Sequence, residues 1–418
     1  MIPRKRLDIG WSDLLAGLGY CLQISDRRTS ELRLEQTWAR GKDSLICLSV
    51  RSGFDALLQA LKFKPGDEIL VSAVTIRGMT GIIEAHGLVP VPIDLDFTQL
   101  AVQSESMAQA VTLRTRAILV AHLFGSRMPI DPIVSFAQAH NLLVIEDCAQ
   151  AYVGQQYRGH PESDVSLFSF GPIKTATALA GGILQFREIS LCDAVREQQD
   201  RWPIQSRLRF LSRILKYSLL MMLSYRATYR VFISICSVFK LNHDRIISQS
   251  VQGFAGRDFF VRIRQQPSAV LLALLERRLK RFEPDRIAER VSLAEQLIQR
   301  TPGLKRPGSK ASEHTHWVFP ILCDCPEQLM YYLWHKGFDA TQGGSSLYVL
   351  EPPANRTEMD PIEAKQAFSQ LLYLPLYPGM SLGDIERLAL ALHEYGQVGQ
   401  LKTATTQTKS AQADLENR

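Results

Sequence analysis

Between Arg201 and His243 the chain has no acidic residue, yet it carries eight lysines and arginines there. The whole protein is only +6, so this one stretch accounts for the entire basic excess. It also lacks a long uncharged run. Leu219–Leu223 and Val231–Phe239 fall well short of the roughly 18–20 residues that span a bilayer, which excludes a transmembrane segment there. The first ten residues have no apolar h-region, so no secretory leader is expected. The seven cysteines form no CxxC, and Cys323-Asp-Cys325 has no second pair or histidine at zinc spacing. Free thiols in a reducing cytoplasm are the expectation, with no metal. No internal repeat is present. What remains is a chain of 418 residues, 46% hydrophobic and 22% charged, with the composition of a soluble protein of two or three domains.

From about residue 45 to 190, short apolar runs alternate with helical patterns. Residues 69–72, 89–93, 117–121, 142–147 and 166–170 are rich in β-branched and aromatic residues, as in strands covered on both faces. Asp131–His140 opens with acid and proline and then repeats apolar residues at helical spacing. The alternation predicts an α/β fold with a mostly parallel sheet, with ligands beyond the carboxyl ends of its strands. The expected organisation is a large cofactor-binding domain over 1–200 and a basic amphipathic insertion over 201–250. An interdomain helix region over 251–285, a smaller C-terminal α/β domain over 286–400 and a disordered tail over 401–418 follow. Residues 270–300 read as one long charged helix. Basic residues interleaved with large apolar ones over 201–243 suit a helix lying on an anionic membrane. They suit equally an insertion packed on the protein's own core or on a partner. Nucleic acid is not expected, because the interleaved residues are aliphatic and no reading motif is present.

Lys174 is the most informative residue. It sits in a loop between two apolar runs, 166–170 and 181–186, with Ser169 upstream. A lysine held there can bond covalently to an aldehyde, and the serine can hold a phosphate. Ser52-Gly53 opens an apolar helical pattern, where free N–H groups and the helix dipole favour phosphate; a capping box of Ser52 with Asp55 explains the same residues. Asp147 ends a buried strand and can pair with a protonated ring nitrogen, or cap a helix. Gln150 lies one turn further on.

With these residues in hand the sequence resembles the DegT/StrS group of sugar aminotransferases, fold type I pyridoxal phosphate enzymes. The resemblance runs through Ser52-Gly53, Pro65-Gly-Asp-Glu, His122-Leu-Phe-Gly125, Glu146-Asp-Cys-Ala-Gln150-Ala, Phe168-Ser-Phe and Lys174 to Leu374-Pro-Leu-Tyr-Pro-Gly. It implies Lys174 as the catalytic residue, and Ser52, Gly53, Phe54, Asp147, Gln150, Ser169 and Lys174 as holders of pyridoxal 5'-phosphate. It also implies a homodimer moving an amino group from an amino acid, usually glutamate, to a keto sugar attached to a nucleotide. A hydrophobic or lipid-linked acceptor at a membrane, and a non-catalytic protein on the same scaffold, are the alternatives. Lysine at 174, where some relatives have histidine, selects amino transfer over dehydration. Phe54, Ile76, Met79 and Phe260 depart from the pattern and imply a more apolar phosphate cup. The 201–243 insertion has no counterpart in the typical member.

Overall fold

In the computed structural model, residues 1–23, 25–38, 43–251, 258–343 and 346–397 are described. The expected tail at 401–418 lies outside them. A seven-stranded sheet organises the first half. Its strands are β1 (Ser44–Cys47), β2 (Glu68–Ser72), β3 (Val89–Ile93), β4 (Thr115–Ala121), β5 (Leu143–Asp147), β6 (Val165–Ser169) and β7 (Gly182–Phe186). Their order is β1-β7-β6-β5-β4-β2-β3. Strands β3 to β6 run parallel with β2 among them, while β7 and β1 pair antiparallel at one edge. The strands are almost wholly buried. Apolar clusters cover both faces, which is why they read as continuous apolar runs and not as alternation.

Helix α1 (Trp11–Leu22) packs against two helices from later in the chain, and α2 (Val50–Leu61) follows β1 directly. Gly182 permits this close join: a Cβ there would stand 2.5 Å from the Val50 backbone nitrogen. The insertion is a helical hairpin, α3 (Arg207–Leu223) and α4 (Arg226–Val238), bent by 91°. Neither helix is long and apolar enough to cross a membrane. Phe210, Ile214 and Tyr217 of α3 join the core formed by α1 and α5 (Ala269–Lys280). Tyr229 of α4 donates its hydroxyl to Asp339, and Arg226 pairs with Asp384, so the hairpin bridges to the C-terminal part. The 270–300 segment is two helices, not the one expected. Helix α5 stops at Lys280 and α6 (Asp285–Arg300) begins after Pro284, because proline lacks the N–H and the space to continue a helix. The C-terminal part pairs β8 (Phe319–Leu322) with β9 (Leu371–Leu374) over its own core.

Candidate active site

Strand β5 places two adjacent carboxylates on opposite faces, as strand alternation requires. Asp147 faces a cavity of about 1390 Å³ beyond the strand ends. Burial raises its carboxyl above the usual range, against hydrogen bonding from the Ala149 N–H (2.9 Å) and the charge of Lys174. Glu146 points the other way, into a closed network. It accepts from the Ser166 hydroxyl (3.1 Å), the His160 N–H (2.8 Å) and the Tyr157 hydroxyl, and meets His122 Nε2 at 2.7 Å. His122 Nδ1 accepts from the Met128 N–H at 3.1 Å, so Nε2 carries the proton and donates to Glu146. Burial opposes the Glu146 charge, yet these donors hold its carboxyl well below the carboxylate range. His122, Glu146 and Cys148 bring metal-ligating atoms within 4.8 Å of one another, but protein hydrogen bonds already occupy the imidazole and the carboxylate. The network fixes the end of β5, and so the aim of Asp147.

Lys174 follows β6 through a tight turn, its N–H donating to the Gly171 carbonyl at 3.0 Å. The Thr177 hydroxyl ties back to the Phe170 and Gly171 carbonyls at 3.1 and 2.6 Å. Ala176 and Leu179 both adopt positive φ (53° and 67°). Side chains avoid that conformation unless surrounding contacts enforce it, as they do at functional loops. The Trp317 indole N–H donates to the Ile173 carbonyl at 3.1 Å, and Lys174 Nζ lies 4.3 Å from the Trp317 ring centroid. Burial lowers the Lys174 pKa from 10.5 to about 8; Asp147 opposes the shift and Arg51 adds to it. A neutral amine, the nucleophilic form, is therefore accessible near neutral pH.

The expected residues do not all meet here. Asp147, Gln150, Ser169 and Lys174 line one cavity; Gln150 Oε1 accepts from the Phe124 N–H at 2.8 Å. Ser52, Gly53 and Phe54 lie behind it. The cap of α2 is Ser49, whose Oγ accepts from the Ser52 N–H at 3.2 Å. Ser52 is fully buried one turn in, and Phe54 is core. Gly53 packs on β7, where a Cβ would stand 2.4 Å from Leu184 Cδ1. Asp55 is engaged by Arg264 and His86 and makes no box with Ser52. The residues that face the cavity are Ser49, Val50 and Arg51, three positions earlier. Ile76 and Phe260 do line the cavity, whereas Met79 is core.

Sequence reasoning missed one wall altogether. Arg209, Ser212, Arg213 and Lys216, on one stripe of α3, line the cavity. Their i, i+3, i+4 and i+7 spacing was the available signal, but the surrounding aliphatic residues pointed to a membrane. With Arg51, Arg77, Arg262 and Lys174 the cavity has seven cations against two acids, Asp147 and Asp258. Arg213 also donates to the Leu179 carbonyl at 2.9 Å. Burial and Arg213 together lower Arg51 to about 10. Two crowded guanidiniums at a helix N-terminus form a cradle for an anion.

Residues 27–222 match the model of the DegT/DnrJ/EryC1/StrS aminotransferase family. Over 158 residues the chain is 33% identical to GDP-perosamine synthase of Caulobacter vibrioides, covering 37% of this chain and 42% of that protein. Over 157 residues it is 36% identical to the erythromycin biosynthesis sensory transduction protein EryC1 of Saccharopolyspora erythraea, covering 36% of this chain and 43% of that protein. The chain thus spans less than half the length of these curated relatives. Among solved structures, aminotransferase TlmJ from Streptoalloteichus hindustanus superimposes with a TM-score of 0.67 at 19% identity, over 94% of this chain and 98% of that one. NtdA from Bacillus subtilis, solved with bound cofactor PMP, gives 0.67 at 19%, over 92% and 81%. Likeness at that identity shows the fold, which is the fold type I α/β architecture.

Proposed function

From the premise that the 27–222 segment of this chain belongs to the DegT/DnrJ/EryC1/StrS aminotransferase family, we propose that the protein is a pyridoxal phosphate-dependent aminotransferase. It moves an amino group from an amino acid, with glutamate the expected donor, to a keto sugar carried on a nucleotide, in polysaccharide, lipopolysaccharide or glycosylated-metabolite synthesis. The observation that carries the reading is the convergence on one cavity of a neutralisable Lys174 and a buried Asp147 whose carboxyl burial shifts above the usual range. The cofactor supplies an electron sink for the substrate's α-carbon when it is bound.

The residues present fit that group. Asp147 stabilises a protonated ring nitrogen, and its burial strengthens that pairing by excluding water. Ser169, the Ser49–Arg51 turn and Arg213 would hold the phosphate, so the apolar Ile76 and Phe260 in the cavity wall leave no gap in anion binding. Gln150, its carbonyl oxygen already occupied, presents its amide N–H to the ring hydroxyl. Lys174 accepts a proton at Nζ and returns it to a neighbouring carbon, a task suited to an amine with pKa near the working pH. The cavity volume exceeds the roughly 300–1,000 Å³ of a typical single-ligand pocket, which leaves room for cofactor and acceptor together. The active unit is a homodimer, as the resemblance implies.

The test is whether purified protein carries the visible absorbance band of bound pyridoxal phosphate and loses it in Lys174→Ala. Absence of any band with excess cofactor supplied sinks the reading. A second reading concerns the hairpin: Leu208, Leu215, Leu219 and Val238 are exposed on its outer face, which favours contact with a membrane surface.

A further inference from the structure

Lys174 opens onto two cavities, and the second is separate from the cofactor's. It has a volume of about 520 Å³ and lies between the N-terminal segment, α6 and the Leu376–Gly379 turn, sharing only Ile173, Lys174 and Trp317 with the first. Two basic side chains in its wall have buried nitrogens without a hydrogen-bond partner among the described residues. Lys5 Nζ is shielded from solvent, has no hydrogen-bond partner, and stands 3.8 Å from the Trp317 ring centroid. Arg290 is buried; its Nε donates to the Thr315 carbonyl at 2.6 Å, but Nη2 has no partner. The nearby acids are committed elsewhere. Asp8 accepts from the Ala176 N–H and pairs with Arg286, and Asp13 pairs with Arg277 and Arg278. Buried polar atoms without partners are expensive and persist where a ligand completes them.

We propose that this cavity takes a carboxylate of the amino donor, bound between Lys5 Nζ and Arg290 Nη2. The assignment rests on the aminotransferase reading and names where its donor is held. A carboxylate fits better than a phosphate. The two donors without partners, Lys5 Nζ and Arg290 Nη2, match the two oxygens of a carboxylate, and seven cations lining the cavity against four acids, Asp8, Asp13, Glu283 and Glu289, favour an anion there. Its volume suits one small molecule, and Trp317 separates the Lys5 amine from Lys174 while touching both. Burial, Lys174 and Arg290 push the Lys5 amine far below the lysine range, against Asp8. The free protein thus favours the uncharged Lys5 amine, and an arriving carboxylate favours its charged form.

Calorimetric titration of the full chain, supplied with excess pyridoxal phosphate, with glutarate in buffers of different ionisation enthalpy tests this. Wild type binds glutarate and takes up a proton. Lys5→Met weakens binding roughly 10- to 100-fold, the loss of one charge-assisted contact, and removes the proton uptake. Lys5→Arg retains binding without uptake, since arginine is always charged. Inorganic phosphate binds more weakly than glutarate. Equal glutarate affinity in wild type and Lys5→Met, or phosphate binding as tightly, overturns the proposal. A protein that binds glutarate in this way yet never holds pyridoxal phosphate supports the subsite and refutes the aminotransferase reading, so the two failures are distinguishable.

Discussion

Replacing the nucleophile by an isosteric apolar side chain should stabilise the cofactor-free protein. Lys174 is lowered from 10.5 to about 8, first by burial and then by Arg51, with Asp147 opposing. One pKa unit corresponds to about 1.36 kcal/mol, so holding the charged amine in the fold costs about 3.4 kcal/mol. Part of the side chain faces cavity water, which screens the charge and reduces this to about 2–3 kcal/mol. The sign follows from linkage. Between pH 8 and 10.5 the unfolded chain binds more protons at this site than the fold does, so stability rises with pH there. Lys174→Met removes the group and with it that dependence. Its advantage is full below about pH 8, falls to about 1 kcal/mol at pH 9.5, and vanishes above 10.5. Urea unfolding of cofactor-stripped wild type and Lys174→Met at pH 7 and pH 9.5 measures both values. A variant no more stable than wild type at pH 7, or one with the same advantage at both pH values, would refute the claim that the fold holds this amine against its own charge.

Removing a cradle cation by Arg51→Met should weaken pyridoxal phosphate roughly 10- to 100-fold, as loss of a charge-assisted contact does, read by titrating the absorbance band; unchanged affinity removes Arg51 from the phosphate site. Phe54→Ala should instead destabilise the fold by about 3–5 kcal/mol, as a core cavity does, while the residual folded protein binds cofactor normally. Glu146 is held below the carboxylate range, so its stabilisation is present above about pH 4.5 and is lost as pH falls further. Glu146→Gln should therefore start less stable at pH 7 and lose less on acidification; parallel acid curves would count against the network. Flotation with anionic liposomes should recover wild type but not Leu215→Asp/Leu219→Asp, and equal recovery in the soluble fraction ends the membrane reading.

The parallel sheet was legible because its strands are buried on both faces, so each registers as an apolar run whatever its neighbours are. Helix Asp131–His140 was legible to the residue, since acid and proline mark one end and Asn141, at positive φ, the other. That Asp147, Gln150, Ser169 and Lys174 line one cavity was legible because each lies within a few residues of a strand end, where topology aims side chains beyond the sheet. The α2 terminus was misjudged by three residues for a local reason. Both Ser49 and Ser52 suit a cap, and what decides is how the helix meets the sheet: Gly53 must face β7 and Gly182 must admit the Val50 backbone. Those contacts join residues more than 100 positions apart and leave no trace in a short window.

The insertion carries the larger lesson. In sequence its eight cations and its apolar residues suit a membrane surface, the protein's own core or a partner alike. In the fold they divide by helix face. The stripe Arg209, Ser212, Arg213 and Lys216 turns into the cavity, Phe210, Ile214 and Tyr217 pack on the core, and Leu208, Leu215 and Leu219 face outward. A helix of 17 residues thus serves three surroundings at once. Composition sums over them, and only the angle about the helix axis separates them. The consequence is functional. The helix brings positive charge to the same cavity as Lys174, on the side facing Arg51. The apolar Ile76 and Phe260 in the cavity wall therefore need not weaken anion binding, because cations reach the same cavity from a different part of the chain.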